Sequence, residues 1–323
     1  MEGDQLTDAQ RRAVMILNRQ ILDPRVLLKN CLLDYGRHEV KPKYDLGGLD
    51  LLPTEIRCAI LENIDVKTLL VFRAVNKRAM ATVDEVPCFK KIMINAPNTV
   101  RMAIGIRTAH TFTIKQLHDK LCQETCDSGC GRPAPYIDVC MLSRRCLWTG
   151  GACDRSMGPQ TAYELSFLFP WERDPAESDL VYQIQPDDVP SFRAIPERYG
   201  HNLFRVDGIS PKDADIIFYD VALAERFFVE KCGSKPLRDD KGSRHRLDST
   251  WTYSAVLAPW LSIKGKHAVH GSFCEKCLAA ESRRRLFEGL FGIGASERNV
   301  SFMAFGPSEW LVKHLEEAHG DGN

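Results

Sequence analysis

The sequence predicts a mainly α fold, α+β in class, with a compact helical unit near the N-terminus and a loop-rich region behind it whose irregular segments are held by bound metal. Three observations lead there. Apolar residues recur at helical spacing through 49–86, interrupted by capping residues and closed by a proline. Six of the 12 cysteines fall between Cys122 and Cys153, and two more form the pair Cys274 and Cys277. Residues 170–250 carry prolines, acidic stretches and polar runs such as LRDDKGSRHRLDS, which favour long loops with a few short elements.

In chain order, Thr7 with Gln10 opens a helix in which Val14, Leu17 and Ile21 share a face, and Asp23-Pro24 ends it. A second helical stretch is expected over Val26 to Leu33, and the polar, proline- and glycine-bearing GRHEVKPKYDLGG makes 36–48 a linker. Residues 1–48 therefore read as a helical extension, and a unit of three helices occupies 49–95. Pro53 stands where a first-turn proline is tolerated, ahead of Ile56, Ala59, Ile60 and Ile64. Asp65 caps a second helix carrying Leu69, Leu70 and Phe72, and Asn76 caps a third that Pro87 stops. Three such short helices cannot bury all their apolar side chains among themselves. A helix-like TIKQLHDKLCQ introduces a cysteine-rich segment over 110–169, and 170–323 forms the C-terminal region. That region holds TYSAVLAPWL, the cysteine pair, a basic helix-like ESRRRLFEGLF and a last helix SEWLVKHLEEAH.

Between Leu51 and Val83 the residues resemble an F-box: Leu52-Pro53, Glu55-Ile56, Ile60, an acidic cap at Asp65 before Leu69-Leu70, then Val75 ahead of the polar Asn76-Lys77-Arg78. The tryptophan usual after that turn is absent, and Met80 stands near its place. The succession of this unit, TIKQLHDKLC, a cysteine cluster, IPERYG, APWL and FCEKC is similar to fungal F-box proteins with a cysteine-rich, zinc-binding region behind the F-box. The resemblance implies that Leu52, Pro53, Ile56, Ile60, Leu69, Leu70 and Val75 contact a Skp-family adaptor, and through it a cullin. It implies a substrate-receptor subunit of an SCF-type ubiquitin ligase, whose C-terminal region recruits a protein target. The alternative is an F-box scaffold or zinc-stabilised interaction protein acting outside a ligase.

Cysteines clustered in a chain without secretion signals are metal ligands more often than disulfides. Cys274-x2-Cys277 presents two thiolates on one turn, and a tetrahedral zinc needs two further donors. His314 and His319, five apart on the last helix, supply one candidate pair, and His267 and His270 the other. The resemblance departs at His319, where the family often has a cysteine. In the first cluster Cys126, Cys130, Cys146 and Cys153 form a candidate four-cysteine site, with Cys122 and Cys140 in reserve. The run VCMLSRRC departs from the family's usual cysteine arrangement.

Composition narrows the function classes. Lys+Arg and Asp+Glu are equal at 43 each, which disfavours a nucleic-acid backbone as main partner. No signal-like or membrane-spanning stretch is read, so the expected location is cytoplasmic or nuclear. No phosphate-binding loop, H-E-x-x-H or G-x-S-x-G occurs, and the expected role is non-catalytic.

Overall fold

The computed structural model describes residues 41–146 without a break, and beyond them 27–28, 31, 33, 160–161, 191–193, 217–219, parts of 224–230, 254–262, 268–277 apart from 275, and 305–320. The expected helix at Thr7 to Leu22, half of Val26 to Leu33 and the basic ESRRRLFEGLF lie outside the described residues.

A short 3-10 turn, Gly47–Leu51, leads into α1 (Thr54–Glu62). Pro53 serves as N-cap in extended backbone, so its missing N–H leaves no helical hydrogen bond unmade. The turn is tied down through Asp50, which accepts from the guanidinium groups of Arg57 and Arg78, both at their closest 2.9–3.0 Å. Helix α2 (Val66–Arg73) is capped by Asp65, whose carboxylate accepts from the Thr68 N–H at 2.8 Å, and α3 (Lys77–Glu85) by Asn76, which accepts from the Ala79 N–H at 2.8 Å. Both caps were readable in the sequence. A two-pronged Arg73–Asp84 ion pair, 2.7 and 2.9 Å, joins α2 to α3.

Pro87 ends α3 as expected, yet it also begins a helix that local sequence pattern does not announce, α4 (Pro87–Asn95), and Pro97 begins another, α5 (Pro97–Gly105). Each proline sits at the first helical position, where its fixed φ favours the helix. Helix α6 (Ile114–Cys122) starts from a reciprocal capping box between Thr113 and Gln116.

Short strands make up most of the remaining regular structure. β1 (Tyr136–Asp138) pairs antiparallel with β2 (Ser143–Arg145) and, on its other edge, with a strand from far down the chain; β3 (Gln160–Thr161), β4 (Ser191–Arg193) and β5 (Ile217–Tyr219) form a separate antiparallel sheet with β5 in the middle. The distant partner of β1 is β6 (Ala255–Leu257), in register Ile137 to Val256. β7 (Trp260–Leu261) pairs with β8 (Ala268–Val269), and β9 (Ser272–Phe273) with β10 (Phe305–Gly306), after which α7 (Ser308–His319) packs against β9 and β10.

The first three helices cannot bury their own apolar surface, and later helices and strands cover part of it. One continuous core runs from Leu61, Val66 and Leu69 through Phe89, Ile92, Val100 and Leu117 to Ile137, Val256 and Leu261. Arg144 of β2 locks this union. Its side chain is fully buried and donates to the carbonyl oxygens of Lys120, Leu121, Ala134, Ala258 and Pro259 at 2.6–3.2 Å, with the guanidinium 5.8 Å from the Trp260 ring centre. It thereby satisfies the carbonyls that end α6 and holds a segment 114 residues away in sequence against them. Trp260 adds its own bond, donating its indole N–H to the Glu124 carbonyl at 3.1 Å. Among the described residues, no helix is long and apolar enough to cross a membrane.

Candidate functional site

Helix α1 turns Pro53, Ile56 and Ile60 to one side at spacings of three and four, and all three are exposed, Ile56 by 49% and Ile60 by 43%. Val71 in the last turn of α2 and Val75 just past its C-cap are 62% and 65% exposed, while Leu51 of the turn before α1 is 86% exposed. Leu52 is half-buried. Large aliphatic side chains left in solvent on two consecutive helices of one small unit are the kind of surface a partner covers. Two of the expected contact residues are placed differently. Leu69 is completely buried in the core and presents nothing outward, and Leu70 is half-buried and packed on that core. The reason is the rotation of α2: with Val66, Leu69 and Arg73 inward, Val71 takes the outward position. Leu51 and Val71 are the members of the face that sequence reasoning missed; Val71 was recoverable from its four-residue spacing to Val75.

The second constellation joins the cysteine pair to the last helix. Cys274, Cys277, His314 and His319 bring one donor atom each to within 4.8 Å of all the others. Cys277 Sγ lies 3.3 Å from His314 Nε2 and 3.2 Å from His319 Nε2. A tetrahedral zinc with usual bond lengths has sulfur-to-nitrogen edges of about 3.5 Å, so the donor set fits such an ion in number, type and spacing. Trp310 stacks on His314 with ring centres 5.4 Å apart and planes 7° from parallel, which orients the imidazole. Burial, aided by the neighbouring His319, lowers the His314 pKa and favours the neutral form that ligates metal. Lys276 donates through its side-chain Nζ to the His319 carbonyl at 3.3 Å, a further tie between the turn and the helix end. His270 is exposed and stands apart from this group, and His267 lies outside the described residues.

A third group forms where α6 runs into β1. Cys126, Cys130 and Cys146 have their sulfurs within 4.8 Å of one another, with Cys130 and Cys146 3.7 Å apart. Gly129 and Gly131, at φ +73° and +71°, flank Cys130 and turn the chain tightly enough to bring its thiol back toward the others. A hydrogen bond from Cys146, reinforced by Ser128 and opposed by burial, draws the Cys126 thiol down to about 4, toward the thiolate a metal requires. The candidate site loses its reserves: Cys140 belongs to the main core, and Cys122 pairs with His118, its sulfur 3.8 Å from Nε2. Cys153 lies outside the described residues. Burial raises the pKa of Cys122 and also that of Cys88, the latter to about 12, so neither behaves as an activated nucleophile.

Compared with known families, residues 49–91 match the F-box domain. No curated protein and no solved structure matches the chain.

Proposed function

We propose, because residues 49–91 match the F-box domain, that the chain is the substrate-receptor subunit of an SCF-type cullin-RING ubiquitin ligase. F-box domains typically bind Skp-type adaptors, and F-box proteins are in general non-catalytic. The observation that carries the reading for this chain is the aliphatic face of Leu51, Pro53, Ile56, Ile60, Val71 and Val75 within the matched residues. Burying each large aliphatic side chain of that face is worth about 1.5–3 kcal/mol, from which the cost of association is subtracted. The adaptor would dock there and a cullin beyond it.

The residues of the C-terminal region would then hold a protein target. Cys274, Cys277, His314 and His319 would bind zinc, which supplies folding free energy to a segment poor in apolar burial and takes no part in bond chemistry. Rate enhancement would come from holding a target lysine near a charged conjugating enzyme, an effective-concentration effect. A single continuous core from the F-box helices to β6 and β7 suits this role, because a receptor must keep its two ends in a fixed relation.

Pull-down from cells expressing the full chain tests the reading. The wild type should bring down a Skp-family adaptor and a cullin, and Leu52→Asp with Pro53→Ala should lose both. Adaptor without cullin would favour a scaffold outside a ligase, and undiminished adaptor binding by the double variant would place the contact elsewhere.

A further inference from the structure

We propose that Cys126, Cys130 and Cys146 form a second metal site, separate from that of the last helix, which sets the joint between the helical unit and the returning segment at 254–261. The three sulfurs converge within 4.8 Å, and the 3.7 Å between Cys130 and Cys146 equals the sulfur-to-sulfur edge of about 3.7 Å expected for tetrahedral zinc thiolate. It is far beyond the roughly 2.05 Å of a disulfide. The left-handed glycines on both sides of Cys130 form the tight knuckle that aims a thiol at a shared centre. Three thiolates select a soft or borderline cation of the zinc class over calcium or magnesium.

The position of the site gives it a consequence beyond local folding. The knuckle is zipped to β2: Asp127 donates its N–H to the Arg144 carbonyl at 3.0 Å, and its carboxylate accepts from the Arg144 N–H at 2.6 Å. Cys146 closes the same strand two residues on. Arg144 therefore has its backbone fixed by the knuckle, while its side chain grips Lys120 and Leu121 on α6 and Ala258 and Pro259 between β6 and β7. Metal bound by the three thiolates holds the hairpin, the hairpin aims Arg144, and Arg144 fastens the C-terminal segment to the helices that bear the aliphatic face. That this joint orients a target toward the ligase rests on the receptor reading; the metal site and its hold on Arg144 do not.

The test uses the full chain. Elemental analysis should find two zinc equivalents in the wild type, with Cys130→Ser, Cys146→Ser losing one and His314→Ala, His319→Ala losing the other. Cobalt(II) substitution should give two spectra, the cysteine site with the stronger sulfur-to-metal charge-transfer band. Hydrogen exchange at 134–145 and 254–261 should quicken at least tenfold in the cysteine variant and stay unchanged in the histidine variant. Should the cysteine variant fail to fold, mercurial titration of the wild type still counts its zinc as thiols are consumed. One equivalent in the wild type, or two in the cysteine variant, overturns the site. Lost zinc with unchanged exchange at 254–261 overturns the joint. Failure of the wild type to bind a Skp-family adaptor would strike the receptor reading and leave the zinc count standing.

Discussion

Replacing Arg144 by methionine keeps the length and apolar stem of the side chain and removes its donors. Five carbonyl oxygens then lose a charged partner inside the protein. Hydrogen bonds to a charged group contribute about 1.5–3 kcal/mol each, so a simple sum over five would be about 8–15 kcal/mol. That sum is too large, because burial also strains the charge: desolvation lowers the Arg144 guanidinium to about 9, and the methionine variant is relieved of that cost. Set against that relief, the carbonyls that find no other donor cost about 1–3 kcal/mol each, and the expected net destabilisation is about 3–5 kcal/mol. With a urea slope of about 2 kcal/mol per molar, the midpoint should fall by roughly 2 M. Arg144→Lys should lie between, since an ammonium has three donors for five acceptors. Urea unfolding monitored by tryptophan fluorescence suits the measurement, because Trp260 sits against the guanidinium. A methionine variant within about 0.5 M of wild type, or a lysine variant equal to it, would refute the role given to this side chain.

The same structure sets other expectations. Leu69→Ala should destabilise the fold by about 2–4 kcal/mol as a core cavity, whereas Val71→Asp should leave thermal stability near wild type and abolish adaptor capture; calorimetry with pull-down separates them. If Cys274, Cys277, His314 and His319 hold zinc as proposed, His314→Ala should abolish its binding and expose the last helix to protease, while His270→Ala should do neither, as read by metal analysis and limited proteolysis. The Asp50 carboxyl is held below its ordinary range by the hydrogen bond from Arg78, assisted by the Leu46 N–H and the Arg57 charge. Its contribution to stability is therefore present above about pH 4 and lost as pH falls through its lowered folded-state value, so Asp50→Asn should flatten the acid limb of melting temperature against pH.

What the sequence revealed was local, and what it hid was mutual. Asp65 and Asn76 could be read as caps because each bonds an N–H three residues on, and His314 and His319 as one of two candidate pairs for Cys274-x2-Cys277 because donor type and helical spacing are visible along the chain. Helices α4 and α5 were obscured by prolines that look like breaks and act as starts. Leu69 faces the core and Val71 the solvent because the inward side of α2 is fixed by packing against later helices, which short periodicity does not encode. Arg144 looked like any basic residue in VCMLSRRC. Its acceptors come from separate stretches of chain, including one strand-return more than a hundred residues away, and only their convergence makes the site.

Mixing the purified full chain with a purified Skp-family adaptor tests the central claim most directly. Isothermal titration should give one adaptor per chain with a Kd in the micromolar range or tighter, about −8 kcal/mol or better, and a negative heat-capacity change from burial of the aliphatic face. Ile56→Asp with Val75→Asp should eliminate the heat while circular dichroism stays that of the wild type. A folded wild-type chain giving no heat and no co-elution with the adaptor, or a double variant binding as tightly as wild type, would contradict the account.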